Sequence, residues 1–235
     1  MPAIYESLIY SFIYKKINLT MKTILTLKYG DKYTANDVNR IVECTNNKYT
    51  YVCVTDDTKG LHPDIYTIPI DEEIEGHWEK VKLFKLNTFG KILYLDLDVR
   101  IQHDVDHLFD MLDNTPVICY TYWKDKNFPY HKDERWSFNY LSNFNSSVML
   151  WEDATHIYKY WEENKDYYMV KYAGDDRFLY HENFTFEHFP ENEIYSYKFS
   201  GGTYKPEYTI ALLNGQADFP DIEKEYDELC MHKMG

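Results

Sequence analysis

Lys91-Ile92-Leu93-Tyr94-Leu95-Asp96-Leu97-Asp98 decides how this chain is read, because a run fit for a buried strand passes directly into two carboxylates one residue apart. Strands of a parallel sheet are covered on both faces and read as near-continuous apolar runs. Their ligands sit in the crevice outside the carboxyl ends of the strands, which is where Asp96 and Asp98 fall. Two carboxylates so spaced on extended backbone can both reach one hard cation, directly or through water, and magnesium or manganese takes oxygen ligands in octahedral arrangement. Such a cation can then accept phosphate oxygens as its remaining ligands.

Working outward, Lys22 to Leu27 reads as a buried strand and Tyr29 to Lys32 as a turn. A helix follows from Thr34, with Val38, Ile41, Val42 and Thr45 at helical spacing and Asn46-Asn47 closing it before a strand from Tyr49 to Thr55. A short strand is predicted over Ile65 to Ile70. The spacing of Val81, Phe84 and Thr88, beside Leu83 and Leu86, predicts a helix from His77 to Phe89 that Gly90 ends. Beyond the carboxylates come an edge strand Val99 to Ile101, a short helix Val105 to Met111 and a strand Pro116 to Tyr122. Trp123 to Asn143 is long, polar and aromatic without a period, and reads as a substrate-facing loop. Val148 to Trp151 is a strand and Asp153 to Asn164 a helix; strand-like pieces at Thr185 to His188, Ile194 to Lys198 and Tyr208 to Leu213 precede an acidic helix from Pro220.

This alternation indicates the α/β class, a single Rossmann-like domain with a mostly parallel central sheet flanked by helices. The length, 235 residues, suits one such unit. Met21 stands immediately before the first strand, so residues 1–20 read as an extension outside the fold and residues 21–235 as the domain.

The net charge of -14 argues against a broad basic face for nucleic acid, and a phosphorylated ligand would need a local cation. The 24 tyrosines could stack on planar groups and hydrogen-bond, although an AT-rich coding sequence would raise Tyr as well. Cys44, Cys53, Cys119 and Cys230 are scattered, which argues against a zinc site or a disulfide framework and for a reducing compartment. No apolar run approaches the length of a membrane span. Ala3 to Ile17 is apolar, but Glu6 interrupts it and neither a basic stretch nor a cleavage site accompanies it, so it is not read as a signal peptide. The cytoplasm is the expected location.

Asp-x-Asp alone also arises by chance at strand ends. Phosphotransferases of the haloacid dehalogenase type carry it too, commonly on the first strand and continuing into Thr or Val, where this chain has Arg100. The setting narrows the choice. Tyr94-Leu95-Asp96-Leu97-Asp98-Val99, followed by Val105-Asp106-His107-Leu108-Phe109-Asp110, resembles the GT8-like, glycogenin-related GT-A glycosyltransferases, and more closely the small transferases of large viruses and phages. The resemblance runs from about Met21 to Asp221. Leu27-Lys28-Tyr29-Gly30-Asp31-Lys32-Tyr33 is similar to the family's first loop, which implies that Tyr33 meets the uracil with Leu27 and Lys28 beside it. Trp78 to Phe84 resembles the helix before the metal motif and implies that Lys80 faces the donor. Phe144-Asn145-Ser146-Ser147-Val148-Met149 resembles the family's Phe-Asn-Ser-Gly-Val segment, placing Asn145, Ser146 and Ser147 beside the donor sugar. Ala173-Gly174-Asp175-Asp176-Arg177-Phe178 resembles its Gly-Asp-Gln helix start, making Asp175 and Asp176 the catalytic candidates, with Asp176 where Gln is usual.

The resemblance thus implies a hexosyltransferase-like enzyme that moves a sugar from a nucleotide-sugar donor, a UDP-sugar, to a glycan, lipid or protein hydroxyl, with retention. It implies Mn2+ or Mg2+ held by Asp96 and Asp98, with Asp96 and Leu97 also touching the donor, and a host cell's cytoplasm if the chain is viral. One segment departs from the pattern. Family members carry a His-Gly and a following Lys, the His as metal ligand and the Lys on the diphosphate; Leu213-Asn214-Gly215-Gln216-Ala217-Asp218 has Asn214 at the first position and Asp218 near the second. Asn214 can still offer an oxygen to the metal, whereas Asp218 cannot neutralise phosphate. Two alternatives therefore stay open: a catalytically impaired nucleotide- or sugar-binding protein, and a sugar-phosphate nucleotidyltransferase, for which the Gly-rich loop after the first strand is missing.

Overall fold

The computed structural model describes residues 21–70, 74, 76–124 and 142–214. The expectations for residues 1–20, for most of the loop from Trp123 to Asn143, for Asp218 and for the helix from Pro220 lie outside these residues.

The chain opens with β1 (Lys22–Lys28), α1 (Ala35–Cys44), β2 (Thr50–Thr55) and β3 (Ile65–Pro69). Every residue of β1 after Lys22 is buried, as a central parallel strand requires. Thr34 starts α1 with a capping box: its backbone N–H and its hydroxyl both donate to Asp37, at 2.7 and 2.9 Å. Asn46 and Asn47, both left-handed at φ 55° and 53°, end it.

The next segment corrects the sequence reading. In place of a helix from His77 to Phe89, α2 (Glu79–Lys82) is one turn set between 3-10 turns at Gly76–Trp78 and Leu83–Lys85. Leu86 is already extended, and its carbonyl accepts the Trp151 indole N–H at 3.2 Å. Glu79, Lys80 and Lys82 are buried along with Val81, Leu83 and Phe84, so the segment is enclosed on all sides and has no solvent face to sustain an amphipathic helix.

β4 (Lys91–Leu95) and β5 (Val99–Ile101) flank the carboxylate pair, and Asp106–Met111 forms a 3-10 turn where a short helix is predicted. β6 (Val117–Tyr120) and β7 (Phe144–Trp151) follow, the latter extending four residues ahead of its predicted start at Val148. α3 (Thr155–Glu162), α4 (Lys165–Lys171) and α5 (Asp175–His181) precede β8 (Glu187–His188), β9 (Ile194–Ser196) and β10 (Ile210–Leu212).

The main sheet has the order β3-β2-β1-β4-β7-β6-β8, and β5-β10-β9 forms a small second sheet. Only β7 runs against the rest of the main sheet, being antiparallel to both β4 and β6. Helices cover both faces. On one, α1 and the Asp106–Met111 turn pack through Val38, Ile41, Val42, Leu108 and Phe109; on the other, α2, α3 and α5 pack through Val81, Ile157, Trp161 and Phe178. No helix among the described residues is long and apolar enough to cross a membrane.

The cysteines need a second correction. Cys53 and Cys119 are free and buried, whereas Cys44 is disulfide-bonded. Scattered spacing along the sequence does not by itself exclude a bridge, because the distance that matters is the one between Cα atoms in the fold.

Candidate active site

From β1 the chain moves outward to β2 and β3, then returns to place β4 on the other side of β1. That reversal opens a crevice above the carboxyl ends of β1 and β4. A cleft of about 430 Å3 lies there, lined by Leu27, Tyr29, Tyr33, Lys80, Tyr94 and Asp96, among others, with Leu97 and Asp98.

Lys80 is its electrostatic centre. The side chain, buried on α2, places Nζ 3.0 Å from each oxygen of Asp96, 3.1 Å from Ser146 Oγ and 3.8 Å from Asp175 Oδ2. Burial alone would disfavour the ammonium, but the Asp175 and Asp96 carboxylates outweigh it and raise the Lys80 pKa above the ordinary lysine value. Below it lies Tyr94, whose ring centroid is 5.4 Å from Nζ and whose hydroxyl donates to Asp96 Oδ1 at 2.6 Å. The Asp96 backbone N–H donates to the Ser147 carbonyl at 2.9 Å, tying the end of β4 to β7.

Asp175 opens α5 at 4% exposure. Burial pushes its pKa up, Lys80 pulls it back, and Oδ2 has no hydrogen-bond partner. Tyr33, on the far wall, has its hydroxyl's pKa raised by burial, then by the charges of Asp98 and Asp96.

The predicted residues thus separate into two groups. Leu27, Tyr33, Lys80, Asp96, Leu97 and Asp98 line one cleft, with Ser146 and Asp175 joined to it through Lys80. Lys28 is buried behind the wall, 3.8 Å from Asp56. Asn145 accepts the Ser147 N–H at 3.1 Å, closing a local turn on the backbone of β7. Asp176 pairs with Arg177 at 2.8 Å. Asn214 is left-handed at φ 56° and accepts the Ser196 hydroxyl; its neighbour Leu213 donates N–H to the Asp98 carbonyl at 3.0 Å, which sets this segment beside the motif. Tyr29, His77 and Tyr94 were not singled out from sequence, yet all line the cleft. For Tyr94 a signal existed, since on extended backbone it shares a face with Asp96.

The donor set suits a hard dication. Asp31, Asp96 and Asp98 of the lining, with Asp175 behind Lys80, outnumber the ammoniums of Lys32 and Lys80, so a diphosphate would meet excess negative charge unless a cation joined it. Among the described residues no three His, Cys, Asp or Glu converge as a closed metal cage. Magnesium-type sites commonly use one or two carboxylates and complete their shell with water and substrate phosphate.

No protein-family model and no curated protein matches the sequence. Solved structures do. The galactosyltransferase LgtC, determined with donor and acceptor sugar analogues, superposes with a TM-score of 0.61 at 13% identity, over 89% of this chain and 95% of that one. The fold is of the GT-A class. The glycosyltransferase GlyE of Streptococcus pneumoniae TIGR4 gives a TM-score of 0.59 at 14% identity over 90% of this chain, which spans 60% of GlyE's length.

Proposed function

We propose that this chain is a metal-dependent glycosyltransferase, hexosyltransferase-like, that transfers a sugar with retention from a UDP-sugar to an acceptor hydroxyl on a glycan, lipid or protein. The observation that carries the reading is the cleft at the reversal of strand order, where Lys80 is held among Asp96, Asp98 and Asp175. The shared fold supports it.

In this reading Tyr33 offers its ring to the uracil, and the cleft's inner wall takes the diphosphate. Asp96 and Asp98 would hold Mn2+ or Mg2+, which when bound stabilises the negative charge of the departing phosphate. Lys80 keeps Asp96 and Asp175 fixed before substrate arrives, so little reorganisation is needed as charge develops. Asp175, with an oxygen unsatisfied inside the protein, is placed to accept from a donor-sugar hydroxyl, with Ser146 beside it. The domain comprises residues 21–235, with residues 1–20 outside it.

Calorimetry with UDP tests the reading. Wild type should bind at least tenfold tighter with manganese than with chelator, and Asp98→Asn should lose that difference. Equal affinity in both conditions overturns the metal assignment. Metal-dependent binding without release of UDP from any UDP-sugar identifies a catalytically impaired binder instead.

A further inference from the structure

The lysines at the cleft are of two kinds. Lys80 is buried, and its ammonium is committed to Asp96, Ser146 and Asp175. An ammonium has three donors, so one enclosed in this way organises the carboxylates around it and keeps little for an incoming anion. Lys28, at the end of β1, is buried and turned toward Asp56. Lys32 differs from both. It lines the cleft with an exposed side chain and, among the described residues, forms no ion pair.

The turn that carries Lys32 is fixed in place. Gly30 takes a left-handed φ of 61°, and its N–H donates to Asp56 Oδ2 at 2.7 Å, which ties the turn leaving β1 to the end of β2. Two residues on, Lys32 Nζ lies over the Tyr33 ring, 4.7 Å from its centroid. Tyr33 packs on the core, and its hydroxyl is hydrogen-bonded to Asp98. One tyrosine therefore stands between the ammonium of Lys32 and a carboxylate of the Asp96-Leu97-Asp98 motif.

We propose that Lys32 is the protein cation that meets the phosphate groups of a nucleoside diphosphate in this cleft, from the wall that Tyr33 forms. The assignment rests on the donor reading given above. A nucleoside diphosphate carries more negative charge than one divalent cation cancels, and the cleft's carboxylates add to the excess. Lys32 has a flexible four-carbon stem, so its ammonium can leave the ring and reach a phosphate oxygen. The cation–π contact at an exposed site is weak, and it positions the ammonium without holding it back. A uracil on the Tyr33 ring would take the place of the ammonium there. Loss of Lys32 should accordingly cost nothing for the nucleoside and be felt only when phosphates are attached.

NMR titrations of the full chain with uridine and with UDP, both in magnesium, test this on wild type, Lys32→Met and Lys32→Arg. Lys32→Met should bind UDP about fivefold more weakly than wild type, the worth of one exposed charge pair, and should bind uridine as tightly or more tightly. Lys32→Arg should recover the UDP affinity, and the gap between wild type and Lys32→Met should narrow as salt is raised. The proposal is overturned if Lys32→Met binds UDP like wild type, if uridine weakens as much as UDP, or if the UDP loss is the same at every salt concentration. Failure of the donor reading looks different: wild type itself then binds no UDP, and the role of Lys32 falls with it.

Discussion

Two parts of the main sheet are built on opposite electrostatic plans. At β1 and β4 a buried lysine is surrounded by carboxylates, and it holds both oxygens of Asp96, with Ser146 Oγ and the Tyr94 hydroxyl completing the contacts. At β6 and β8, Tyr122, Glu187 and His188 lie exposed at the surface. The difference teaches that burial, more than residue type, marks where charge is being organised for chemistry. A carboxylate such as Glu187 is stable in water without help, whereas Asp175 at 4% exposure is tolerable only beside an ammonium or in protonated form.

The change that should break this contrast most severely is Lys80→Met. It leaves Asp96 and Asp175 facing each other across a buried space without their shared cation. Removing one partner of a buried ion pair costs about 3–5 kcal/mol, and loss of a preorganised charge at a reacting centre lowers turnover by about 10²–10³. Lys171→Met supplies the comparison, since Lys171 meets Glu182 at 2.8 Å near the surface and its loss should cost about 1 kcal/mol or less. Thermal melting and UDP release on both variants check this. Equal destabilisation would show that the Lys80 cluster is no more than another ion pair.

A smaller effect is expected at Asp175, and here stability and activity should part. Asp175→Asn keeps the shape, removes a charge that burial disfavours, and leaves Lys80 with Asp96. Turnover should fall about 100-fold, while the melting temperature at pH 7 holds or rises. Because burial raises the folded pKa, the carboxyl costs the native state nothing below the unfolded pKa, and the cost grows as pH rises from there until it is complete above the folded pKa. Any stability advantage of the Asn variant is therefore present at pH 7, shrinks as pH falls below the folded pKa and is gone below the unfolded one. A melting temperature that drops together with turnover would assign Asp175 a structural role.

How much of this was legible in the sequence follows from the same physics. β1, β2 and β4 were readable because strands buried on both faces must be apolar runs, and the position of Asp96 and Asp98 followed from that of β4. The short α2 was not, since its apolar spacing fits a helix and nothing local announces that Lys80 and Lys82 are buried as well. Nor was α4, or the early start of β7, whose first residues depend on pairing with β6 through a bulge at Ile118 and Cys119. Within the site, Lys80 and Asp175 were named but not their 3.8 Å approach, which requires α2 and α5 to meet over β7. Tyr29 and His77 reach the cleft only through tertiary placement.

Tyr94→Phe should have the smallest effect, and it asks whether the cleft's order depends on each bond or on Lys80 alone. The hydroxyl is the third contact on Asp96: it reaches Oδ1 at 2.6 Å, while Lys80 holds both oxygens at 3.0 Å. Removing it leaves the ring packed under the ammonium and the carboxylate still doubly held. The loss should be about 1 kcal/mol, near the value of one hydrogen bond and equivalent to a factor of about five. That loss should fall on the orientation of Asp96 and hence on the metal. The manganese concentration that half-saturates UDP binding should rise about fivefold, while turnover at saturating manganese stays within about twofold of wild type. Manganese titration followed by electron paramagnetic resonance reads the first quantity without relying on activity. If turnover falls as far as in Lys80→Met, Tyr94 contributes directly to the chemistry. If neither quantity moves, Lys80 fixes Asp96 unaided and the tyrosine hydroxyl is only a satisfied polar group in the wall.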